Sequence, residues 1–250
     1  MFFRKKKKVR SQSEIKKILR DYAEALIIAL LLALFVREYV LTAYRIPTAS
    51  MVPTLKVGDF IFASKFPYNV KWPFTDKRMI AAEMPERGEV VVFNCPDDKS
   101  SHCIKRVVAV AGDRIQVTNH KVTLNGQPMQ YENLGNDLIK ELPGNEYYSV
   151  FRESLGQVQY NVLLAQSQPT ESSSEYNFKV PEGFFYVLGD NRQSSDDSRL
   201  WGAIPVSDLQ GRAWLIWLSL DWFNTWGGNR FPSLRWERLF QSVHDTQVQK

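Results

Sequence analysis

Residues 89–110 read EVVVFNCPDDKSSHCIKRVVAV, and this stretch decides the fold class. Its two ends, Glu89–Cys95 and Cys103–Val110, are short runs rich in the β-branched residues that strands favour. The polar segment PDDKSSH separates them. The stretch therefore predicts two antiparallel strands joined by a hairpin loop.

Short runs of the same kind lie on both sides of this hairpin, and Gly, Pro, Asn and Asp residues punctuate them. The clearest are Val57–Ser64, Arg114–Leu124, Phe184–Leu188 and Gly211–Leu218. Asn125-Gly126 marks a tight hairpin turn. The pattern predicts a mainly β domain over residues 45–250, built as an antiparallel sheet or barrel.

Two stretches differ from this pattern of short runs that are typical of β-strands. The region from Gln130 to Asn177 has weak periodicity and contains QSQPTESSSE, which is typical of an insertion or a flexible subdomain at about 130–177. The segment Asp221–Phe240 is rich in Trp and Phe. Tryptophan favours membrane interfaces, but it packs more often into a core, and we expect core packing here.

The amino terminus combines a basic cluster with an apolar run. Nine of the first twenty residues are Lys or Arg, and Ala25–Val36 reads ALIIALLLALFV. A helix over residues 22–44 would be about 34 Å long, enough for a hydrocarbon core of about 30 Å. We predict a basic cytoplasmic segment at 1–21, a single-pass anchor in the inner (cytoplasmic) membrane at 22–44, and the domain on the outer side.

A buried core helix, a cleaved leader or a nucleic-acid-binding arm are the alternatives for this region. The hydrophobic share of 44% and the net charge of +5 are ordinary for a globular protein and exclude global disorder. The only cysteines, Cys95 and Cys103, close the hairpin loop as a disulfide or remain free thiols. The three histidines are scattered, so we predict no metal and no cofactor.

A candidate nucleophile lies just beyond the apolar run, in Ile46–Leu55, which reads IPTASMVPTL. Pro47 and Pro53 stiffen the backbone around Ser50, and the small residue before Ser50 leaves room beside it. This context suits a nucleophile, although a solvated loop serine fits it as well.

A nucleophilic serine needs a base, and the sequence offers two kinds. His102 is the best placed of the three histidines, but no acidic partner to orient it is apparent. Lys105 lies in the apolar strand CIKRVVAV, where burial can lower the pKa of an amine by three or more units. The two side chains point to opposite faces of a strand, so they are alternatives.

A third candidate segment, Gly189–Gly202, reads GDNRQSSDDSRLWG and follows an apolar run. Asp190, Asp197, Arg192 and Arg199 predict an ion-pair network that fixes this loop. Its serines can hydrogen-bond a buried amine. The two arginines argue against a calcium site.

These segments, with GDFIFASKFPY between the first two, resemble the signature boxes of the bacterial signal peptidase I family, which are S26-type proteases with a Ser-Lys dyad. IPTASMVPTL resembles the nucleophile box, IKRVVAVAGD the lysine box and GDNRQSSDDSRLWG the last box, in the expected order. The resemblance implies a membrane-bound serine endopeptidase that removes signal peptides from exported preproteins after Ala-x-Ala. It implies preprotein signal peptides and membrane lipid as partners, a monomer, and no nucleic acid.

The resemblance also implies roles for single residues. Ser50 would be the nucleophile and Lys105 the general base. Thr48 would donate to the oxyanion beside the Ser50 amide, and Ser195 would orient the Lys105 amine.

Two further sets of roles follow from the same boxes. The last loop would be held by Asp197 and Arg199. The substrate-binding residues would be Ile46, Pro47, Met51, Leu55, Ile61, His102 and Ile104. Cys103 stands where the family often has a larger residue, which changes the shape of this part of the cleft.

Two other classes fit parts of the pattern. A self-cleaving repressor also uses a Ser-Lys pair, but nothing before Ser50 resembles its DNA-binding module. An inactive, membrane-tethered β module that binds peptides or lipids would not need the complete Ser and Lys boxes.

Overall fold

The computed structural model describes residues 12–66, 68, 83–142, 144–155, 158–166, 175–226 and 231–244. Its α-helices are α1 (Gln12–Tyr39) and α2 (Ser198–Trp201). The strands in these ranges are β1 (Leu41–Arg45), β2 (Asp59–Ser64), β3 (Val90–Asn94), β4 (His102–Val110), β5 (Arg114–Thr118), β6 (Lys121–Leu124), β7 (Gln127–Pro128), β8 (Gln130–Gly135), β9 (Tyr148–Leu155), β10 (Val158–Ala165), β11 (Glu175–Lys179), β12 (Phe184–Leu188), β13 (Ile204–Pro205), β14 (Leu209–Trp226), β15 (Phe231–Leu234) and β16 (Gln241–Ser242). Short 3₁₀ helices cover Asp137–Ile139, Asn145–Tyr147, Val206–Asp208 and Trp236–Arg238.

The largest sheet has the strand order β1-β2-β14-β3-β4-β12-β13, and β15 and β16 pair with β14. It is antiparallel and curls into a half-barrel. Two smaller antiparallel sheets have the orders β10-β9-β8 and β11-β5-β6-β7. The prediction of a mainly β, antiparallel domain is confirmed.

The hairpin predicted from residues 89–110 is formed by β3 and β4. Val91 pairs with Lys105, and Asn94 pairs with His102. The loop between the strands is closed by a disulfide between Cys95 and Cys103, so the structure selects the paired alternative that the sequence left open.

Strand β3 is buried on both faces, because successive side chains enter different cores. Val90 packs with residues around the Ile46–Leu55 segment. Val91 packs with Val107 of β4 on the opposite face. Full burial of each such side chain stabilises the fold by roughly 1.5–3 kcal/mol. The hairpin that carries Lys105 is therefore a rigid support.

The region predicted as an insertion or a flexible subdomain is largely a folded sheet. Strands β8, β9 and β10 pair in register. Tyr160 and Val162 of β10 are buried against Val108 of β4, so this sheet covers one face of the strand that carries Lys105. Local periodicity missed it because pairing between distant strands decides it. The polar residues 167–174 lie outside the described residues.

Helix α1 begins at Gln12 and ends at Tyr39. The predicted continuation of the helix to Tyr44 is wrong, because Leu41–Arg45 instead pairs as an edge strand with β2. Every side chain from Asp21 to Arg37 is exposed. Residues 1–11, which hold most of the basic cluster, lie outside the described residues.

None of the helices within the described ranges has both the length and the apolar content that crossing a bilayer requires. The anchor predicted at 22–44 therefore stays a prediction.

The expected core packing of the aromatic tail is wrong for four of its members. Trp222 is 48% exposed, and Phe231, Trp236 and Phe240 are between 68% and 73% exposed. These residues lie on or after the end of β14 and project from the sheet surface. Local sequence could not show this, because it does not tell which face a sheet leaves uncovered.

Candidate active site

Ser50 lies in a tight turn between β1 and β2. The Val52 amide donates to the Ala49 carbonyl at 3.2 Å, and the Leu55 amide donates to the Met51 carbonyl at 2.9 Å. Met51, Val52 and Leu55 are buried, and they anchor the turn in the cores below. The short segment thus holds the Ser50 side chain in a fixed place, where 8% of the residue is exposed.

Asn191, from the loop after β12, holds the backbone of this turn. Its amide donates to the Ser50 carbonyl at 3.0 Å, and its side-chain Nδ2 donates to the Ala49 carbonyl at 3.2 Å. Gly189 is required nearby, since an added Cβ would lie 2.6 Å from the Ser50 carbonyl oxygen. Sequence reasoning did not single out Asn191, although its place in GDNR was a usable signal.

Lys105 reaches Ser50 from β4. Its Nζ donates to Ser50 Oγ at 2.8 Å, and the residue is 6% exposed. On its face of the strand, Lys105 lies between Cys103 and Val107 and opposite Val91, so its stem is surrounded mainly by apolar groups. The structure therefore brings together the two residues on which the predicted chemistry depends.

Burial lowers the pKa of Lys105 from 10.5 to about 8. The carboxylates of Asp197, Asp196 and Asp190 oppose this shift, and the Arg199 guanidinium supports it. With such a pKa, roughly a tenth of the amines are neutral at pH 7, compared with about one in 2,500 for lysine in water. A neutral amine in contact with a hydroxyl is a competent general base.

Two hydrogen-bond donors lie beside the Ser50 hydroxyl. Thr48 Oγ1 is 3.4 Å from Ser50 Oγ, and Thr48 is open to solvent. The Ser50 amide donates to no group among the described residues. Both donors are therefore available to an oxygen atom that enters the cleft at Ser50.

Ser195 does not make the contact predicted for it. Its hydroxyl donates to the Asp196 carbonyl at 3.4 Å, and no described hydrogen bond joins it to Lys105. The side chain packs instead against Gly189, where an added Cβ would lie 2.2 Å from Ser195 Oγ. The loop geometry turns this hydroxyl toward its own main chain.

Asp197 and Arg199 hold the loop as a bidentate ion pair. Arg199 Nε donates to Asp197 Oδ1 at 2.8 Å, and Nη2 donates to Oδ2 at 2.7 Å. Asp197 is fully buried and also accepts from the Gly189 amide at 3.0 Å. It caps helix α2 as well. The carboxylate therefore ties the loop to the backbone next to Ser50.

The other two members of the predicted loop network find partners elsewhere. Asp190 binds Arg106 of β4 with two hydrogen bonds of 2.7 and 2.6 Å. Arg192 donates to Glu153 of β9 at 2.8 Å. The prediction of a network within the loop is wrong for these residues, because strands distant in the chain supply buried charges of opposite sign.

A cleft of about 540 Å³ opens at Ser50 and Lys105. It is lined by Tyr44, Arg45, Ile46, Pro47, Thr48, Ser50, Met51, Cys95, His102, Cys103, Ile104, Lys105, Ser194, Asp196 and Trp201. Two predicted substrate-binding residues, Leu55 and Ile61, are not part of this lining. They are completely buried in the core below, since the turn directs the first inward and strand alternation directs the second inward.

A buried serine in contact with a buried amine, with two hydrogen-bond donors beside them in an open cleft, is the arrangement expected of a serine hydrolase. The family model described as "Signal peptidase, peptidase S26" matches residues 19–218. The chain belongs to this signal peptidase family and is a serine endopeptidase. Signal peptide removal by a serine protease is the activity that this family supports.

Individual relatives agree with the family assignment. The signal peptidase I of Pseudomonas fluorescens is 34% identical over 213 residues, which cover 81% of this chain and 73% of that protein. The signal peptidase I of Aquifex aeolicus is 34% identical over 231 residues, covering 80% and 85%. A crystal structure of a signal peptidase I from Enterococcus faecalis covers 52% of this chain and 97% of that one, at 23% identity and a TM-score of 0.30. The assignment does not depend on this partial overlap.

Proposed function

We propose that the chain is a membrane-bound peptidase that removes signal peptides from exported preproteins, with Ser50 as nucleophile and Lys105 as general base. The observation that carries the proposal is the 2.8 Å contact between Lys105 Nζ and Ser50 Oγ. This contact lies in a site where burial lowers the pKa of the amine to about 8. The chain offers no other base within hydrogen-bonding distance of Ser50 among the described residues.

Acylation follows from this geometry. The neutral amine of Lys105 removes the proton from Ser50 Oγ, and the oxygen attacks the carbonyl carbon of the scissile bond. The negative charge that develops on the carbonyl oxygen is held by the Ser50 amide and the Thr48 hydroxyl. Such donors each stabilise a transition state by about 3 kcal/mol.

The same amine completes acylation and then serves deacylation. The Lys105 ammonium gives its proton to the leaving amine of the mature protein, and the scissile bond breaks. The regenerated neutral amine then removes a proton from water, which attacks the ester carbon. The signal peptide leaves with a free carboxylate, and Ser50 recovers its proton from Lys105.

The cleft suits an extended substrate with small side chains. The rings of Tyr44 and His102 lie 5.3 Å apart, so the ends of β1 and β4 frame the cleft. In the described residues, β4 pairs with β12 only from Arg106 onward, which leaves residues 102–105 free to bind an added strand. The disulfide and Trp201 narrow the cleft, which favours Ala-x-Ala and excludes large side chains.

The membrane part of the proposal rests on exposed apolar surface. The run Ala25–Val36 on α1 is exposed, and so are Trp222, Phe231, Trp236 and Phe240 of the aromatic tail. Large exposed apolar patches mark interaction sites. Lipid is the partner that also fits the basic segment 1–21. We place the amino terminus in the cytoplasm and the peptidase on the outer side, as a monomer without nucleic acid, metal or cofactor.

A cleavage assay tests the chemistry. The full chain in detergent is incubated with a preprotein whose signal peptide ends in Ala-x-Ala. Ser50→Ala and Lys105→Ala are expected to lose cleavage by at least about 10³-fold, because each removes a partner of the proton transfer that starts the reaction. Circular dichroism verifies that both variants are folded.

Lys99→Ala provides the matched control, since Lys99 is an exposed lysine of the same hairpin, paired with Asp208. Its cleavage rate should equal that of the wild type. Retained cleavage by a folded Lys105→Ala variant would exclude the proposed mechanism.

A further inference from the structure

His120 occupies an unusual position in the hairpin between β5 and β6. Thr118 pairs with Lys121, and the two residues between them, Asn119 and His120, have φ angles of 50° and 63°. Turns of this kind favour Asn followed by Gly. A histidine in the left-handed region at the second position therefore calls for a reason beyond the turn itself.

The imidazole of His120 contacts the loop that holds the active site. Its Nδ1 lies 2.9 Å from Arg199 Nη1, and its backbone carbonyl accepts from Arg192 Nη1 at 3.0 Å. A guanidinium only donates hydrogen bonds. Nδ1 must therefore be the acceptor, which requires a neutral ring with its proton on Nε2.

The contact continues to the nucleophile. Arg199 places Nη1 on His120 and its other two nitrogens on Asp197. Asp197 accepts from the Gly189 amide, and Gly189 lies against the Ser50 carbonyl. The imidazole thus holds one nitrogen of the Arg199 guanidinium, and the other two nitrogens hold the loop beside Ser50 through Asp197.

We propose that His120 is a positioning residue whose neutral imidazole holds Arg199 on Asp197, and that protonation of the ring releases this hold and lowers peptidase activity. The inference rests on the proposed function, because the activity in question is the cleavage by Ser50 and Lys105.

The charged and titratable groups around the ring act on it in opposite directions, and the arginines together with burial favour its neutral form. These groups are Arg192, Arg199, Asp196 and Asp197 from the loop, Tyr176 from β11, and Lys121 from the same hairpin. Burial, Arg199 and Arg192 keep the pKa of His120 below its usual value of 6.5, and Asp197 opposes them. The ring is therefore neutral at pH 7 and becomes charged only in more acidic solution.

Loss of the contact between His120 and Arg199 would also change the pKa of Lys105. The Asp197 carboxylate favours the charged form of Lys105, and Arg199 favours the neutral form. If Arg199 moves away from Asp197, the carboxylate acts on Lys105 with less compensation, and the pKa of Lys105 rises. The effect on activity is thus expected through ionisation, and a merely structural role would not produce it.

Two substitutions separate the turn from the contact. His120→Gly gives the sequence Asn-Gly, which suits this turn, and removes the imidazole. His120→Asn keeps an acceptor oxygen near the place of Nδ1, does not titrate, and tolerates a positive φ. His244→Asn, in the turn after β16, is the matched control.

The test is the pH profile of kcat/KM between pH 5 and 9 with an Ala-x-Ala peptide. The wild type and His244→Asn should fall with a slope of one below the Lys105 pKa, and the slope should steepen toward two once the solution is acidic enough to protonate His120. His120→Asn should keep a slope of one. His120→Gly should show a higher inflection and lose roughly three- to tenfold at pH 7. The proposal is overturned if the His120→Gly profile superimposes on that of the wild type. It is also overturned if the slope of the His120→Asn profile steepens as the wild-type slope does.

An NMR measurement makes the result independent of cleavage. The chain has three histidines, so the His120→Asn spectrum identifies the His120 ring. Its nitrogen shifts should report the Nε2–H tautomer and a pKa below 6.5 in the full chain. A proton on Nδ1 or a pKa at or above 6.5 overturns the inference, whereas absence of wild-type cleavage overturns only the proposed function.

Discussion

Lys105 and Arg106 are neighbours on β4, and both are cations buried in the protein, yet their surroundings are opposite. Arg106 is completely buried and binds both oxygens of Asp190. It also donates to the Gly88 carbonyl at 2.7 Å and lies 4.2 Å above the ring of Tyr160. Lys105 donates to a neutral hydroxyl and forms no ion pair with any described carboxylate.

The difference shows how one strand holds a paired structural cation on one face and, on the other, the amine that we propose as the base. A buried charge that has a counterion keeps its proton, because the paired charge replaces the lost hydration. A buried amine without a counterion loses hydration and gains little in return, so its pKa falls. Burial is common to both residues, and the presence of a carboxylate partner decides the role of each.

The first prediction breaks the Arg106 side of this comparison. Asp190→Asn leaves the buried guanidinium of Arg106 without its counterion. We expect the free energy of unfolding to fall by about 3–5 kcal/mol, which is the typical cost of such a change. Urea denaturation of the full chain in detergent measures it. A loss of this size is a large part of the 5–15 kcal/mol that stabilises most proteins.

The matched control for this prediction is Asp208→Asn. It breaks the ion pair with Lys99, whose side chain is 57% exposed, and exposed pairs contribute at most about 1 kcal/mol. Equal losses in the two variants would mean that the carboxylate of Asp190 is not the group that stabilises Arg106.

The second prediction removes the unpaired cation. Lys105→Met should raise the free energy of unfolding at pH 7 by about 1–3 kcal/mol, because most Lys105 amines are then charged and buried. The lost hydrogen bond to Ser50 offsets about 1 kcal/mol of the gain in this range.

The pH dependence of this gain has a definite sign. The pKa of Lys105 is lowered from 10.5 to about 8, so between these values the unfolded chain binds a proton that the folded chain does not. Wild-type stability therefore rises across this window, and the advantage of Lys105→Met should shrink there. A constant difference from pH 7 to 10.5 would contradict the unpaired state of the amine.

The sequence predicts the position and partner of Lys105 better than it predicts the partner of Arg106. The hairpin of β3 and β4 follows from its composition, and the resemblance of three segments to known boxes pointed to Ser50 and Lys105 as a pair. From the residues alone, Lys105 and His102 remained alternatives. The position of the disulfide was visible as well, but not its formation.

The partners of the buried charges were not predictable in the same way. Arg106 and Asp190 are 84 positions apart, and Glu153 and Arg192 are 39 apart, so only the pairing of distant strands shows which carboxylate meets which guanidinium. The composition of the last loop indicated charges that had to be neutralised. It gave no sign that β4 and β9 would supply half of them.

Other misses have local reasons. Strand alternation would have placed Ile61 in the core instead of the cleft, and that signal was available. The Ser195 hydroxyl depends on the rotation of a loop that no periodicity describes. Helix α1 ends at Tyr39 because Leu41–Arg45 finds a partner strand, a tertiary effect that the local sequence does not show.

The smallest predicted effect is a change in the pKa of the unpaired Lys105 amine. Asp196 is exposed at the cleft, and its carboxylate raises the pKa of Lys105 against the effect of burial. Asp196→Asn should lower the inflection of the kcat/KM profile by a few tenths of a unit, and it should raise the rate at pH 7 up to about twofold at low salt. Because the charge is exposed, 1 M salt should remove the difference. Asp137→Asn, which neutralises an exposed carboxylate of a 3₁₀ helix, should leave the inflection unchanged. If the inflection of Asp196→Asn rises, or if its shift does not depend on salt, the loop charges do not act on the amine through space.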